Sequence, residues 1–411
     1  MGTRCRSVLR TALAGSLLFG GALTAAVVSA APAASAATVV QTIGIGTNLG
    51  GVSSDGTHVW VANYPSSVTE LDASTGAVVQ TIGVGDDPEG VSSDGTHVWV
   101  ANSGDNSVTE LDASTGAVVQ TIGLGYQTAQ YSVLGISSDG NHVWVTNVQD
   151  NTVTELDAST GAVVQTIGGI YYPISVSSDG THVWVTNGVN EVTELDASTG
   201  SVVQTISGFS GPYAISSDGT HVWVANQYDN EVTELDASTG AVVQTIGVGD
   251  DPEAISSDGT HVWVPNYGDN TVTELDASTG SVVQTIGVGR YPNGVSSDGT
   301  HVWVGNYGDG TLTELAIPLQ IATTSLPDAT VGQPYSFQLQ ATGGTPPYTW
   351  NKYLPKGRGA LPPRLSISKG GLISGTPKKA GTYTIIVKCL QATAHPNKTL
   401  ATQDLTLTVN P

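Results

Sequence analysis

The segment SSDGTHVWVAN returns seven times, with small changes, between residues 53 and 306. Its tryptophan falls at Trp60, Trp99, Trp144, Trp184, Trp223, Trp263 and Trp303, a period of about 40 residues. Near-identical units must meet near-identical surroundings, so the chain has to stack them in an array or close them in a ring. Each unit reads as four strands. A short VSSD run leads into a DG turn, the strongest short hairpin signal. HVWVAN and VTELDA follow, rich in β-branched and aromatic residues, and ASTG turns the chain into AVVQTIG. Four strands joined by tight turns at this period make one propeller blade.

The ends of the repeat decide between array and ring. The first three strands occur seven times, and the last copy stops at LTELA (312–316) with no AVVQTIG after it. The missing strand stands at the other end of the repeat, as TVVQTIG at Thr38–Gly44. Borrowing it for the seventh blade closes the ring and removes the open sheet edges that invite aggregation. The expected fold is therefore all-β: a seven-bladed β-propeller over residues 37–316 closed by its N-terminal strand, with a second domain after it. The HVWVTN of His142–Asn147 and His182–Asn187, followed by VTELDASTGAVVQTI, resembles the YVTN family of bacterial β-propeller repeats over about residues 38–316. That resemblance implies the fold; its members include surface proteins, binding proteins and some enzymes.

Residues repeated in every blade read as structural. The seven histidines before the tryptophans and the seven SSDG aspartates recur once per blade, whereas a metal or catalytic set is needed once. The differences between copies carry the information. In a blade of this order, strand 1 lines the channel and strand 4 is outermost. The 4→1 and 2→3 loops then share one face, and those loops vary while SDGTH and DASTG on the other face do not. All ten propeller tyrosines fall on the variable face: Tyr64, Tyr126, Tyr131, Tyr171, Tyr172, Tyr213, Tyr228, Tyr267, Tyr291 and Tyr307. Phe209 and Arg290, the single base of residues 37–316, join them. Amphipathic rings on one loop face suit stacking and hydrogen bonding to a partner, so these tyrosines and Arg290 are the candidate ligand-binding residues. Tyrosines serving the core would sit in strands, and the pattern places none there.

Two loops gather acids: Asp86, Asp87 and Glu89, then Asp250, Asp251 and Glu253. Their oxygens offer a weak Ca²⁺ reading, against the stronger one of solvated turn acids; no other cofactor is expected. Seven-bladed lyases of the virginiamycin B lyase type resemble the chain in outline. They place a histidine after the proline of some 4→1 loops, where this sequence has Glu89, Glu253 and Asn293. A histidine base is disfavoured, a carboxylate base is left open, and no nucleophile elbow, zinc motif or phosphate loop is found. The chain is read as more binding protein than enzyme, with a propeller-type lyase or hydrolase and a purely structural surface module as alternatives.

Charge divides the chain. The net charge is −22. Residues 37–316 hold 33 acids against one base, and residues 317–411 hold nine bases against Asp328 and Asp404. The acidic unit repels nucleic acid and anionic membrane. Residues 1–36 read as a secretory signal peptide: Arg4, Arg6 and Arg10, an apolar run to Val28, then Ala34-Ser35-Ala36 or Val28-Ser29-Ala30 for cleavage. No later stretch is apolar enough to span a bilayer, so a released or wall-associated monomer is expected. Cleavage removes Cys5 and leaves Cys389, read as a buried small hydrophobe. After residue 316 the period ends and proline becomes frequent. LISGTP followed by AGTYTIIV resembles the bacterial Ig-like (cadherin-like) domain, which implies a β-sandwich over 317–411. Its basic insertion carries Lys352, Lys356, Arg358 and Arg364. The partners expected are a glycan, a cell-wall polymer or a protein.

Overall fold

The computed structural model describes residues 37–125, 133–344, 347–352, 360–391 and 400–411; the expected signal peptide lies outside them. Six four-stranded antiparallel sheets take their strands consecutively from the chain. The first holds Leu49–Ser54, His58–Asn63, Ser67–Asp72 and Val78–Gly83. The seventh combines Pro292–Ser297, His301–Asn306 and Thr311–Ala316 with Thr38–Gly44 as its outer strand. The closing pair is antiparallel, with Thr38 opposite Ala316 and Gly44 opposite Thr311. The ring is a seven-bladed propeller closed by the N-terminal strand.

Strand 2 of each blade does not alternate: Val, Trp, Val and the next residue are all buried, because the blade is covered on both faces. Each tryptophan is fully buried and leans on the next blade. Trp60 packs with Val91, Val98 and Val100 of blade two, and Trp303 packs with Leu49, Val52 and Val59 of blade one. The repeated polar residues form closed circuits. Ser93 N–H donates to Ser53 Oγ at 3.0 Å and Ser93 Oγ–H to Asp55 Oδ2 at 3.0 Å. The same two bonds recur from blade to blade and close with Ser54 N–H to Ser296 Oγ and Ser54 Oγ–H to Asp298 Oδ2. Every repeated histidine stands between the aspartate of its own turn and a buried strand-3 glutamate, as His58 does between Asp55 and Glu70 at 3.8 Å each. Its ring also tilts against the tryptophan two residues on. These side chains are thus engaged in holding the ring.

The second domain pairs a four-stranded sheet with a three-stranded one. Gly381–Leu390 and Leu400–Asn410 form the long central hairpin of the larger sheet. Its core gathers Trp350, Ile373, Ile385, Val387 and Leu405, with Cys389 fully buried among them. Burial pushes the Cys389 thiol up to about 11, so it stays protonated and apolar.

Candidate functional site

The site grows out of an irregularity at the start of strand 1. There the pairing with strand 2 shifts between Leu49 and Val52, Pro88 and Val91, Val133 and Ile136, Pro173 and Val176, Pro212 and Ala214, and Pro292 and Gly294. A bulge leaves a residue unpaired and re-aims its side chain. In blade six the first strand shrinks to Ser256–Ser257 plus a bridge from Pro252 to Asn266, beside Pro265, which has no N–H for the ladder.

In the six bulged blades the second residue of strand 1, and in blade six Glu253 just after the bridge, line one axial cavity of about 200 Å³. Around the ring these residues are Gly50, Glu89, Leu134, Ile174, Tyr213, Glu253 and Asn293. Six residue types at seven equivalent positions is an unusual spread in a chain that otherwise repeats itself. The ring is two-sided: Leu134, Ile174 and Tyr213 make an apolar arc, while Glu253, Asn293 and Glu89 make a polar arc interrupted by Gly50. Small residues one position on, among them Gly51, Gly90, Gly135 and Ala214, also line it. They are small because neighbouring first strands nearly touch: a Cβ on Gly90 would stand 2.5 Å from the Leu134 carbonyl oxygen.

Tyr64 O–H donates to Glu89 Oε1, and Gln227 Nε2–H to Glu253 Oε1 at 3.4 Å. Burial, with the charge of Asp251 adding to it, lifts the Glu253 carboxyl to about 7. Burial also raises Glu89, against the opposing Tyr64 hydrogen bond. The Tyr213 phenol is pushed up by burial and by the fields of Glu253, Glu89 and Asp251, so both glutamates act on one ring.

A second cavity of about 220 Å³ adjoins the first, sharing Ile174 and Tyr213, and runs outward between Tyr172, Gln227 and Tyr228. Tyr172 and Tyr291 hold left-handed backbone, φ 53° and 56°, conformations costly for a bulky side chain. Asparagines of the preceding blade hold them there: Asn151 Oδ1 accepts from Tyr172 N–H at 2.8 Å and Asn270 Oδ1 from Tyr291 N–H at 2.9 Å. Tyr291 stacks on Tyr267 with ring centres 4.8 Å apart. Tyr171, Tyr172, Tyr228, Tyr291 and Tyr307 are exposed, Tyr228 most of all at 75%.

Several expectations need adjustment. Tyr213 is a strand residue, within Pro212–Ser217, and reaches the axis through the bulge. Phe209 is buried in the blade core with Trp184, Val192 and Ile215 and is not on the face. Arg290 is held by Asp309, Nε to Oδ1 at 2.7 Å, and by the Gly308 carbonyl. Tyr126, Tyr131, Lys356 and Arg358 lie outside the described residues. The acidic loops split: Glu89 and Glu253 line the axial cavity, while Asp86 and Asp250 turn their N–H groups to Asp105 and Asp269. Asp87 and Asp251 occupy left-handed turn positions. Among the described residues no group of three or more His, Cys, Asp or Glu is arranged to hold a metal ion. The sequence reading missed Gly50, Leu134 and Ile174 as a set with the glutamates and Asn293. Alignment of the seven copies carries the signal, since the residue after the loop proline, or after its equivalent, changes in nearly every blade.

Comparison with known proteins agrees with this architecture. Residues 318–410 match the family model described as "Putative Ig domain". Among solved structures, a chain of Kuenenia stuttgartiensis hydrazine synthase superposes with a TM-score of 0.56 at 21% identity, covering 66% of this chain and 97% of that one. At that identity the likeness is one of fold. A search of curated proteins finds no match. No helix among the described residues is long and apolar enough to cross a membrane.

Proposed function

We propose that the chain is an exported binding protein whose variable propeller face recognises a glycan, with the Ig-like domain as spacer or wall-binding unit. One observation carries the reading: a ring of equivalent positions freed from the repeat, with six residue types at seven places, lines an open cavity that adjoins a tyrosine-lined groove. Sugars present C–H faces that stack on aromatic rings and hydroxyls that hydrogen-bond to carboxylates and amides. The basic start and apolar run of residues 4–28 support export. A glycan array probed with the full chain tests the idea, with Tyr172→Ala/Tyr228→Ala as the paired variant. Binding of the selected glycan is expected to weaken about tenfold or more. Unchanged binding in a folded double variant counts against the groove.

A second reading, a lyase or hydrolase, draws on one specific observation. A carboxyl near 7 at Glu253, with Glu89 in the same cavity, is placed to give or take a proton at neutral pH. Turnover of a glycan panel that disappears in Glu253→Gln would favour it.

A further inference from the structure

The polar arc of the axial cavity offers acceptors and lacks a cation. Asn293 spends its Nδ2–H on the Leu49 carbonyl at 2.8 Å, and its Oδ1 is buried without a hydrogen-bond partner. Glu253 stands next to it on the ring and Glu89 lies one blade beyond Gly50, and neither pairs with a base among the described residues. Nor does the propeller have one to spare. Its single Arg is paired with Asp309, and each repeated histidine stands between an aspartate and a glutamate of its own blade rather than in the cavity lining. Two half-buried glutamates lining one cavity with no base beside them call for a ligand rich in donors and positively charged. An ammonium group supplies three donors and no acceptor. Opposite it, Leu134, Ile174 and Tyr213 call for an apolar face. The cavity, about 200 Å³, is smaller than the roughly 300–1,000 Å³ of drug-sized sites, so it admits one ring or one short chain end.

We propose that the axial cavity binds an unacetylated amino sugar of a glycan, its ammonium group on the polar arc that carries Glu89 and Glu253 and its C–H face against Leu134, Ile174 and Tyr213. The inference rests on the glycan reading above and names its substrate class. Neighbouring sugars of the same glycan would continue along the groove past Tyr172 and Tyr228. The charged groups acting around the cavity are all acidic or phenolic: Asp87, Asp251, Tyr64 and Tyr267 beside the two glutamates and Tyr213. None competes with a cationic ligand.

Isothermal titration of the full chain with glucosamine trimer, N-acetylglucosamine trimer and trilysine tests this at low ionic strength. The glucosamine trimer is expected to bind about tenfold or more tightly than either other probe. Glu89→Gln/Glu253→Gln should abolish that preference, while Asp229→Asn, which removes a charge from the same face outside the cavity, should preserve it. Circular dichroism confirms that each variant is folded. Equal binding of the acetylated trimer overturns the ammonium inference and leaves the glycan reading standing. Tighter binding of trilysine overturns both. Binding of no probe, or an unchanged preference in the double Gln variant, overturns the inference alone.

Discussion

Glu253 titrates near 7 because the fold removes its carboxyl from water and sets Asp251 beside it. An ordinary glutamate titrates near 4.5. Between those values the folded chain keeps a proton that the unfolded chain releases, so this group makes stability fall as pH rises through that window, and the loss is complete above about 7. Glu253→Gln should flatten that stretch of the profile and raise the urea midpoint most at alkaline pH, where the wild type bears the full cost. Parallel pH slopes for the two proteins would contradict the assignment. The sequence marked Glu253 as unusual, since it replaces a histidine expected from one family resemblance. It did not reveal that Glu253 faces Glu89, Asn293 and Tyr213 across one cavity. That depends on the bulges at the start of strand 1, which turn Glu89, Tyr213 and Asn293 to the axis, and on the interrupted first strand of blade six, and neither leaves a trace in alternation. The ion pair of Arg290 was hidden for a related reason: Asp309, 19 residues away, reaches it only because the 4→1 and 2→3 loops of blade seven meet.

At the scale of the element, the strands were legible because each repeat combines a DG or STG turn with β-branched runs, and seven copies reinforce one another. Even the borrowed strand was countable. The Thr38–Gly44 strand lies on Thr311–Ala316 as the other outer strands lie on theirs, and its Gln41 Nε2 reaches Glu314 and the Thr75 carbonyl. Each interior outer strand repeats this bond pattern, for example Gln80 to Glu70 and Thr115. Removing residues 38–44 should therefore bare the edge of Thr311–Ala316 and open the ring. Light scattering after size exclusion is expected to show larger species than the full chain forms, and a synthetic TVVQTIG peptide should reverse the effect. A truncated chain with the full chain's association state and an unchanged unfolding midpoint would refute the closure role. The elements that resisted reading belong to the Ig-like domain, where short strands such as Gln320–Ile321 and Ala329–Thr330 carry too few residues for a period to show.

For the whole molecule, charge dominates. With 33 acids and one base, residues 37–316 repel themselves, and the histidine–carboxylate contacts offset only a fraction of that when protonated. Raising salt from about 10 mM to about 200 mM shortens the screening length and should raise the thermal midpoint. A midpoint that falls instead would show that pairing outweighs repulsion. The outer strands add a rim of exposed valines, Val78 and Val79 in blade one and Val242 and Val243 in blade five among them, and the same repulsion opposes bringing two such rims together. The clasp has a mechanical side. Thr38 pairs with Ala316, so a pull on the chain just before residue 38 and just after residue 316 acts at the same end of the strand pair. The backbone bonds then share no load and break in succession, as a zipper opens, at low force. A load that enters through a ligand on the propeller face and leaves through the Ig-like domain runs along the last strand instead and spares the zipper. Tethering by that route would keep the ring shut under drag, whereas tethering by the leading strand would peel it open.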